Sequence, residues 1–113
     1  MRTKRPDKLK EALAQEIERL GRRVLPLLQR EEDTLDLLRP DWDEWHGGER
    51  YVLTPIGQVV QEEIVINYDG RRNYIKGSIE FGSFIQRRNK GDLFKVYTVL
   101  RGYITDNIPQ RGK

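Results

Sequence analysis

The 113-residue chain contains no cysteine and a single histidine. Without thiols, disulfide bonds, thiolate metal sites and thiol catalysis are excluded. The sequence also lacks a P-loop, a G-x-G-x-x-G segment and a G-x-S-x-G segment, which are the common nucleotide cradles and nucleophile elbow. We therefore predict a protein that is not an enzyme and that uses no cofactor and no metal.

Long hydrophobic runs are also missing. The apolar runs span only a few residues, far fewer than a membrane-spanning helix needs. The first fifteen residues are rich in charge and lack the apolar region of a secretory signal. These absences predict a cytoplasmic protein with no membrane partner, and nothing in the sequence indicates a small-molecule substrate.

Charge is plentiful but unevenly distributed along the chain. Charged residues make up 35% of the sequence, and the net charge is only +3. Residues 31–49 hold eight carboxylates against one arginine, a charge of −7, whereas residues 71–101 carry +6. This asymmetry says more about partners than the net charge does, because two opposite segments cancel within the total.

Two N-terminal helices are predicted from the apolar spacing. Asp7 is a favourable N-cap, and Pro26 should end the first helix near Val24 or Leu25. A second helix is expected from Pro26 to just before Pro40, and its apolar residues are Leu28, Leu35 and Leu38. The first helix carries a stripe with spacings of four and three, which consists of Leu13, Ile17, Leu20 and Val24.

This stripe has two interpretations. It fits a short heptad pattern, so the four residues are candidates for an oligomer interface such as a homodimer seam. It equally fits a helix packed on its own domain, because a coiled coil usually needs three or more heptads.

Two hairpins are predicted in the middle of the chain. Residues 41–54 form one around Gly47-Gly48, and residues 62–81 form another around Asp69-Gly70. A two-residue turn at Asp69-Gly70 predicts one apolar face, consisting of Ile64, Ile66, Tyr68, Ile75, Ile79 and Phe81. A longer loop is expected to keep that face.

A basic loop, residues 82–91, leads to a last helix that Asp92 should cap. Its apolar side, expected to meet the apolar face of the hairpin in the core, holds Leu93, Val96, Leu100 and Ile104. The predicted fold is therefore α+β: two N-terminal helices, an antiparallel sheet of three to four strands and a C-terminal helix. We expect a single domain over residues 7–108, with a flexible basic tail at 1–6 and a flexible tail at 109–113.

Residues 71–90, RRNYIKGSIEFGSFIQRRNK, combine cations with aromatic side chains. Cations neutralise phosphates, and an aromatic ring on a sheet can stack a base. The leading prediction is a non-enzymatic protein that binds RNA or single-stranded DNA through Arg71, Arg72, Tyr74, Lys76, Arg87, Arg88 and Lys90. The alternative is an ordinary solvated sheet face, whose lysines and arginines prevent unwanted strand pairing.

Two further hypotheses belong to other classes. The protein is an assembly or adaptor module if its helical stripe and its oppositely charged segments join copies or partners. A metal-dependent nuclease would need a carboxylate cluster, for which the sequence offers Asp41, Asp43, Glu44, His46 and Glu49. Their spacing matches no metal motif, and a solvated acidic hairpin accounts for them equally well.

Overall fold

The computed structural model describes residues 7–38 and 47–107. Its elements are α1 (Lys8–Val24), a 3-10 turn (Leu25–Leu27), β1 (Leu35–Leu38), β2 (Gly48–Leu53), β3 (Gln58–Ile66), β4 (Arg72–Glu80), α2 (Phe81–Gln86) and α3 (Lys90–Asn107). The four strands form one antiparallel sheet in the order β1-β2-β3-β4. The predicted α+β class is confirmed.

The limits of α1 follow from local chemistry. The Asp7 carboxylate accepts a hydrogen bond from the backbone N–H of Lys10 at 3.0 Å, as an N-cap does. The helix ends at Val24 and tightens into the 3-10 turn that contains Pro26, because proline supplies no N–H to continue an α-helix. Both ends agree with the prediction.

The second predicted helix is wrong, because the chain turns after Leu28 and then becomes strand β1. The backbone N–H of Arg30 donates to the Asp33 carboxylate, and the N–H of Asp33 donates to the Arg30 carbonyl. A side chain that bonds nearby backbone in this way favours a turn over a helix. A register irregularity after Asp36 then lets β1 bury both Leu37 and Leu38.

The β3–β4 hairpin lies where it was predicted but has a different register. Asn67 donates its N–H to the Arg71 carbonyl, and Gly70 donates to the Asn67 carbonyl, so residues 68–70 form a three-residue loop. Gly70 takes a positive φ of 80° there, which glycine adopts without steric cost. The extra loop residue shifts the pairing by one, which moves every β4 side chain to the other face.

The predicted apolar face of the hairpin is consequently wrong. Ile64 lies opposite Tyr74 and Ile66 lies opposite Arg72, whereas Ile75 and Ile79 point to the other side of the sheet. Of the six residues expected on one buried face, Phe81 is in the core and Ile79 packs against it. Exposed side chains are Ile66, Tyr68 and Ile75, and Ile64 is buried outside the main core cluster.

The main core lies between the three helices and one face of the sheet. Tyr51, Leu53 and Val59 line that face. The helices supply the rest, which includes the expected Leu93, Val96, Leu100 and Ile104 of α3. The segment predicted as a basic loop, 82–91, instead contains most of α2, whose Phe84 and Ile85 are buried. Asp92 was predicted to cap α3, but it lies within the first turn of that helix. The Asn89 side chain, just before the helix, accepts a hydrogen bond from the N–H of Asp92 at 2.8 Å.

Two helical glycines make a matched test of this packing. A Cβ built on Gly21 of α1 would lie 2.5 Å from Cε2 of the Phe81 ring, whereas one on the exposed Gly102 of α3 would meet nothing within 4 Å. We expect Gly102→Ala to raise the free energy of unfolding by about 0.5–1 kcal/mol, because alanine is the better helix former. Gly21→Ala should lower it by about 1–3 kcal/mol through overpacking. Urea unfolding of both variants checks this, and a gain in stability for Gly21→Ala would contradict the α1–α2 contact.

Candidate nucleic-acid interface

The seven predicted binding residues fall into separate places. Arg71 follows the hairpin loop, and β4 carries Arg72, Tyr74 and Lys76. Arg87 and Arg88 follow α2, and Lys90 is the first residue of α3. The structure brings the three β4 residues together on one side of the sheet and separates them from the residues after α2.

The β4 face, as we call it, consists of Arg72, Tyr74 and Lys76 with Ile64 and Ile66 beside them on β3. Tyr74 lies directly opposite Ile64, and Arg72 lies opposite Ile66. The Tyr74 side chain is 68% exposed, whereas Ile64 is buried. The β4 face therefore presents an exposed ring beside an aliphatic floor, with a cation two residues away on either side.

The Glu62 carboxylate borders the β4 face, and it is paired with an arginine. Glu62, on β3, lies between Lys76 on β4 and Arg50 on β2 and is paired with both in the sheet register. The Arg50 guanidinium holds it with its Nη2 atom 2.7 Å and its Nε atom 2.9 Å from Oε2 of Glu62. This row of three charged residues therefore keeps a net positive charge at the end of the β4 face.

The hairpin tip contributes an aromatic ring and a neutralised cation. Tyr68 is fully exposed in the loop. Arg71 Nε lies 3.3 Å from Oδ2 of Asp69, and the Asp69 carboxylate also accepts the backbone N–H of Arg71. Because Asp69 balances its charge locally, Arg71 adds less to a phosphate site than the sequence indicated.

Arg88 lies on the other side of the sheet from Tyr74. Its guanidinium carbon is 4.9 Å from the centre of the Tyr51 ring and 5.0 Å from that of Phe84. Tyr51 belongs to the sheet face that the helices cover, since it packs on Phe84 with ring centres 5.1 Å apart. The shifted register points the β4 residues away from α2, so the predicted binding residues lie on two different sides of the sheet.

Lys90 forms an ion pair that links the N-terminus of α3 to the N-terminus of α1. Its Nζ lies 2.9 Å from Oδ2 of Asp7, the cap of α1. Two hydrogen bonds hold the pKa of the Asp7 carboxyl below its ordinary value. The larger contribution comes from the backbone N–H of Lys10, and the smaller comes from the Lys90 side chain. This contact gives Lys90 a structural role at the junction of α1 and α3.

The α1 stripe is buried within the chain. Its four side chains are at most 8% exposed and belong to the main core cluster, the side of α1 that packs on α3. Leu13, Ile17, Leu20 and Val24 therefore offer no free seam to a second chain in this structure. The packing is the one expected of a helix on its own domain.

A further basic groove, which the sequence did not indicate, runs between α1 and α3. Arg19 and Arg23 of α1 line it together with Tyr97 and Arg101 of α3. The Arg101 guanidinium lies 5.6 Å from the Tyr97 ring centre, and Arg19 pairs with Glu16. Residues so far apart in sequence give no local signal, so only the packing of the two helices could reveal this groove.

The acidic candidates lie almost entirely outside the described residues. Of the proposed cluster only Glu49 is described, and it accepts a hydrogen bond from Gln61 at 3.4 Å. Within residues 7–38 and 47–107, no group of three or more histidine or carboxylate side chains is arranged to hold a metal ion. None of the helices in these two ranges is long and apolar enough to cross a membrane.

Comparisons of the chain with models of protein families, with curated proteins and with solved structures find no match.

Proposed function

We propose that this protein is a non-enzymatic nucleic-acid-binding protein that holds RNA or single-stranded DNA against the β4 face. The observation that carries the proposal is the exposed Tyr74 ring between Arg72 and Lys76 on the same side of one strand. Alternate residues of a strand lie about 7 Å apart, so both cations are within reach of the phosphates next to a base stacked on the ring.

The exposed edge position of β4 suits a flexible single strand better than a duplex. A base can stack on Tyr74 only if it is unpaired and splayed away from its neighbours, as in single-stranded loops and ends. Ile66, beside Arg72, and Tyr68 at the tip extend the exposed apolar surface along the hairpin. Stacking on an aromatic ring and contacts to phosphates tolerate every base, so little sequence preference is expected.

The test is fluorescence anisotropy of labelled single-stranded and duplex oligonucleotides at several salt concentrations. Two or three phosphate contacts predict that log K falls with log salt with a slope of about −2, and Lys76→Ala should reduce that slope by about 0.7. Tyr74→Ala should weaken single-strand binding by about 1–3 kcal/mol without changing the slope, because stacking is not ionic.

Lys95→Ala is the matched control, since it removes one positive charge from an exposed position of α3. It should leave binding nearly unchanged. Absence of binding at low salt, or an equal loss in Lys76→Ala and Lys95→Ala, would overturn the proposal.

A second candidate function, assembly of copies, is favoured by the open edge of β4. The Arg71 carbonyl accepts a hydrogen bond from the N–H of Asn67, and the N–H of Phe81 donates to the Gly57 carbonyl. These backbone groups of Arg71 and Phe81 therefore point toward β3 and the turn before it. Because this direction alternates along a strand, the even-numbered residues of β4 point their N–H and C=O groups outward. Among the described residues no strand pairs with that edge, and such an edge is a template for a strand from another chain.

Charge disfavours some registers of a symmetric pair of β4 strands and permits others. A two-fold axis at Lys76 would place two lysines directly opposite each other, which is destabilising. An axis at Ile75 instead places Tyr74 opposite Lys76 and Arg72 opposite Ser78, so no like charges meet. This dimer would use the sheet edge instead of the α1 stripe.

Ser78→Pro tests the dimer, since it removes an outward N–H without removing a hydrogen bond to β3. If copies pair through β4, light scattering should show a dimer for the wild type and for Ser78→Ala, and a monomer for Ser78→Pro. A wild-type protein that is monomeric at high concentration, or a Ser78→Pro variant that remains dimeric, would exclude this assembly.

A further inference from the structure

A cleft of about 380 Å³ lies on the helix-covered side of the sheet, where β2, β3 and β4 meet the end of α2. Tyr51, Gln61 and Ser78 line it from the strands, and Phe84, Arg87 and Arg88 line it from α2 and the residues that follow. Its volume is within the range of small-ligand sites in proteins. Among the described residues that line it, none is a carboxylate.

Arg88 is held in this cleft by two aromatic rings, and its Nε donor lacks an acceptor. The Tyr51 and Phe84 ring centres are 4.9 Å and 5.0 Å from its guanidinium carbon, within the range of cation–π contacts. Its Nε atom is buried and has no hydrogen-bond partner. A buried donor without an acceptor costs free energy, and an anion that reaches it removes that cost.

A second cation and polar groups surround the same cleft. Arg87 is exposed at its edge, and no ion pair joins either arginine to a carboxylate within the described residues. The Gln61 amide at the cleft already donates to Glu49. Two guanidinium groups match the charge and the several acceptor oxygens of a phosphate dianion.

We propose that this cleft binds a phosphomonoester, with its phosphate between Arg87 and Arg88. The cleft is larger than a bare phosphate, and Ile79 and Gly77 line the remainder with space for the organic part of the ester. Such a group occurs on a free nucleotide or sugar phosphate and at the end of a nucleic-acid strand. Because the cleft and the β4 face lie on opposite sides of the sheet, this site does not depend on the proposed function.

Isothermal titration with 5′-AMP and with adenosine tests the site. We expect 5′-AMP to bind about 10- to 100-fold more tightly than adenosine, because hydrogen bonds to a charged group are lost with the phosphate. Arg87→Ala and Arg88→Lys should each abolish most of that difference, since lysine lacks the Nε donor and the planar fork. Arg87 is exposed, so its variant is expected to fold even if Arg88→Lys does not.

Lys95→Ala is the control, and it should bind 5′-AMP as the wild type does. Equal affinity for adenosine and 5′-AMP, or undiminished 5′-AMP binding in Arg87→Ala, would overturn the proposal.

Oligonucleotides with and without a 5′-phosphate distinguish the two sources of the phosphate, which are free phosphomonoesters and the ends of nucleic-acid strands. A 5′-phosphate that raises oligonucleotide affinity about tenfold, through Arg87, assigns the site to strand ends. Binding of 5′-AMP without that increment assigns it to free phosphomonoesters.

Discussion

The register of the β3–β4 hairpin determines which chemistry each side of the sheet presents. Three loop residues, closed by Gly70 with its positive φ, set Ile64 opposite Tyr74. This pairing places the odd-numbered residues of β4 toward the helices and the even-numbered ones on the β4 face. The exposed Tyr74 and the cations beside it are consequences of that one turn, since a loop shorter by one residue would turn them toward the helices.

The helices make the two sides of the sheet unequal. They cover the side that carries Tyr51, Leu53 and Val59, and the strongest burial of the chain is found there. Phe84 is part of this core and, with Tyr51, holds the Arg88 guanidinium at its border. The basic residues that are neighbours in the sequence are thus divided between the β4 face on one side and the Arg88 cleft on the other. A nucleic acid that occupied the β4 face would leave the Arg88 cleft open to a different ligand.

Local signals in the sequence were sufficient for several elements. The cap at Asp7, the break at Pro26 and the Asp69-Gly70 turn each arise from the chemistry of one or two residues. The register could not be predicted, because Asp-Gly is compatible with both two-residue and three-residue loops. Strand β1 was missed because its leucines also fit helical spacing, and tertiary pairing with β2 decided between the two. The Arg88 cleft depends on partners from β2 and α2, so no local pattern indicates it.

The claim that the β3–β4 register divides the basic residues between the two sides of the sheet is tested most directly by measuring that register with NOEs between α-protons. In antiparallel pairs without mutual hydrogen bonds, the α-carbons approach to about 4.5 Å, so their α-protons give strong cross-peaks. The observed pairing predicts such cross-peaks between Ile64 and Tyr74 and between Ile66 and Arg72. A cross-peak between the α-protons of Val65 and Tyr74 would establish the two-residue turn instead. It would turn Tyr74 toward the helices and contradict the division of the basic residues.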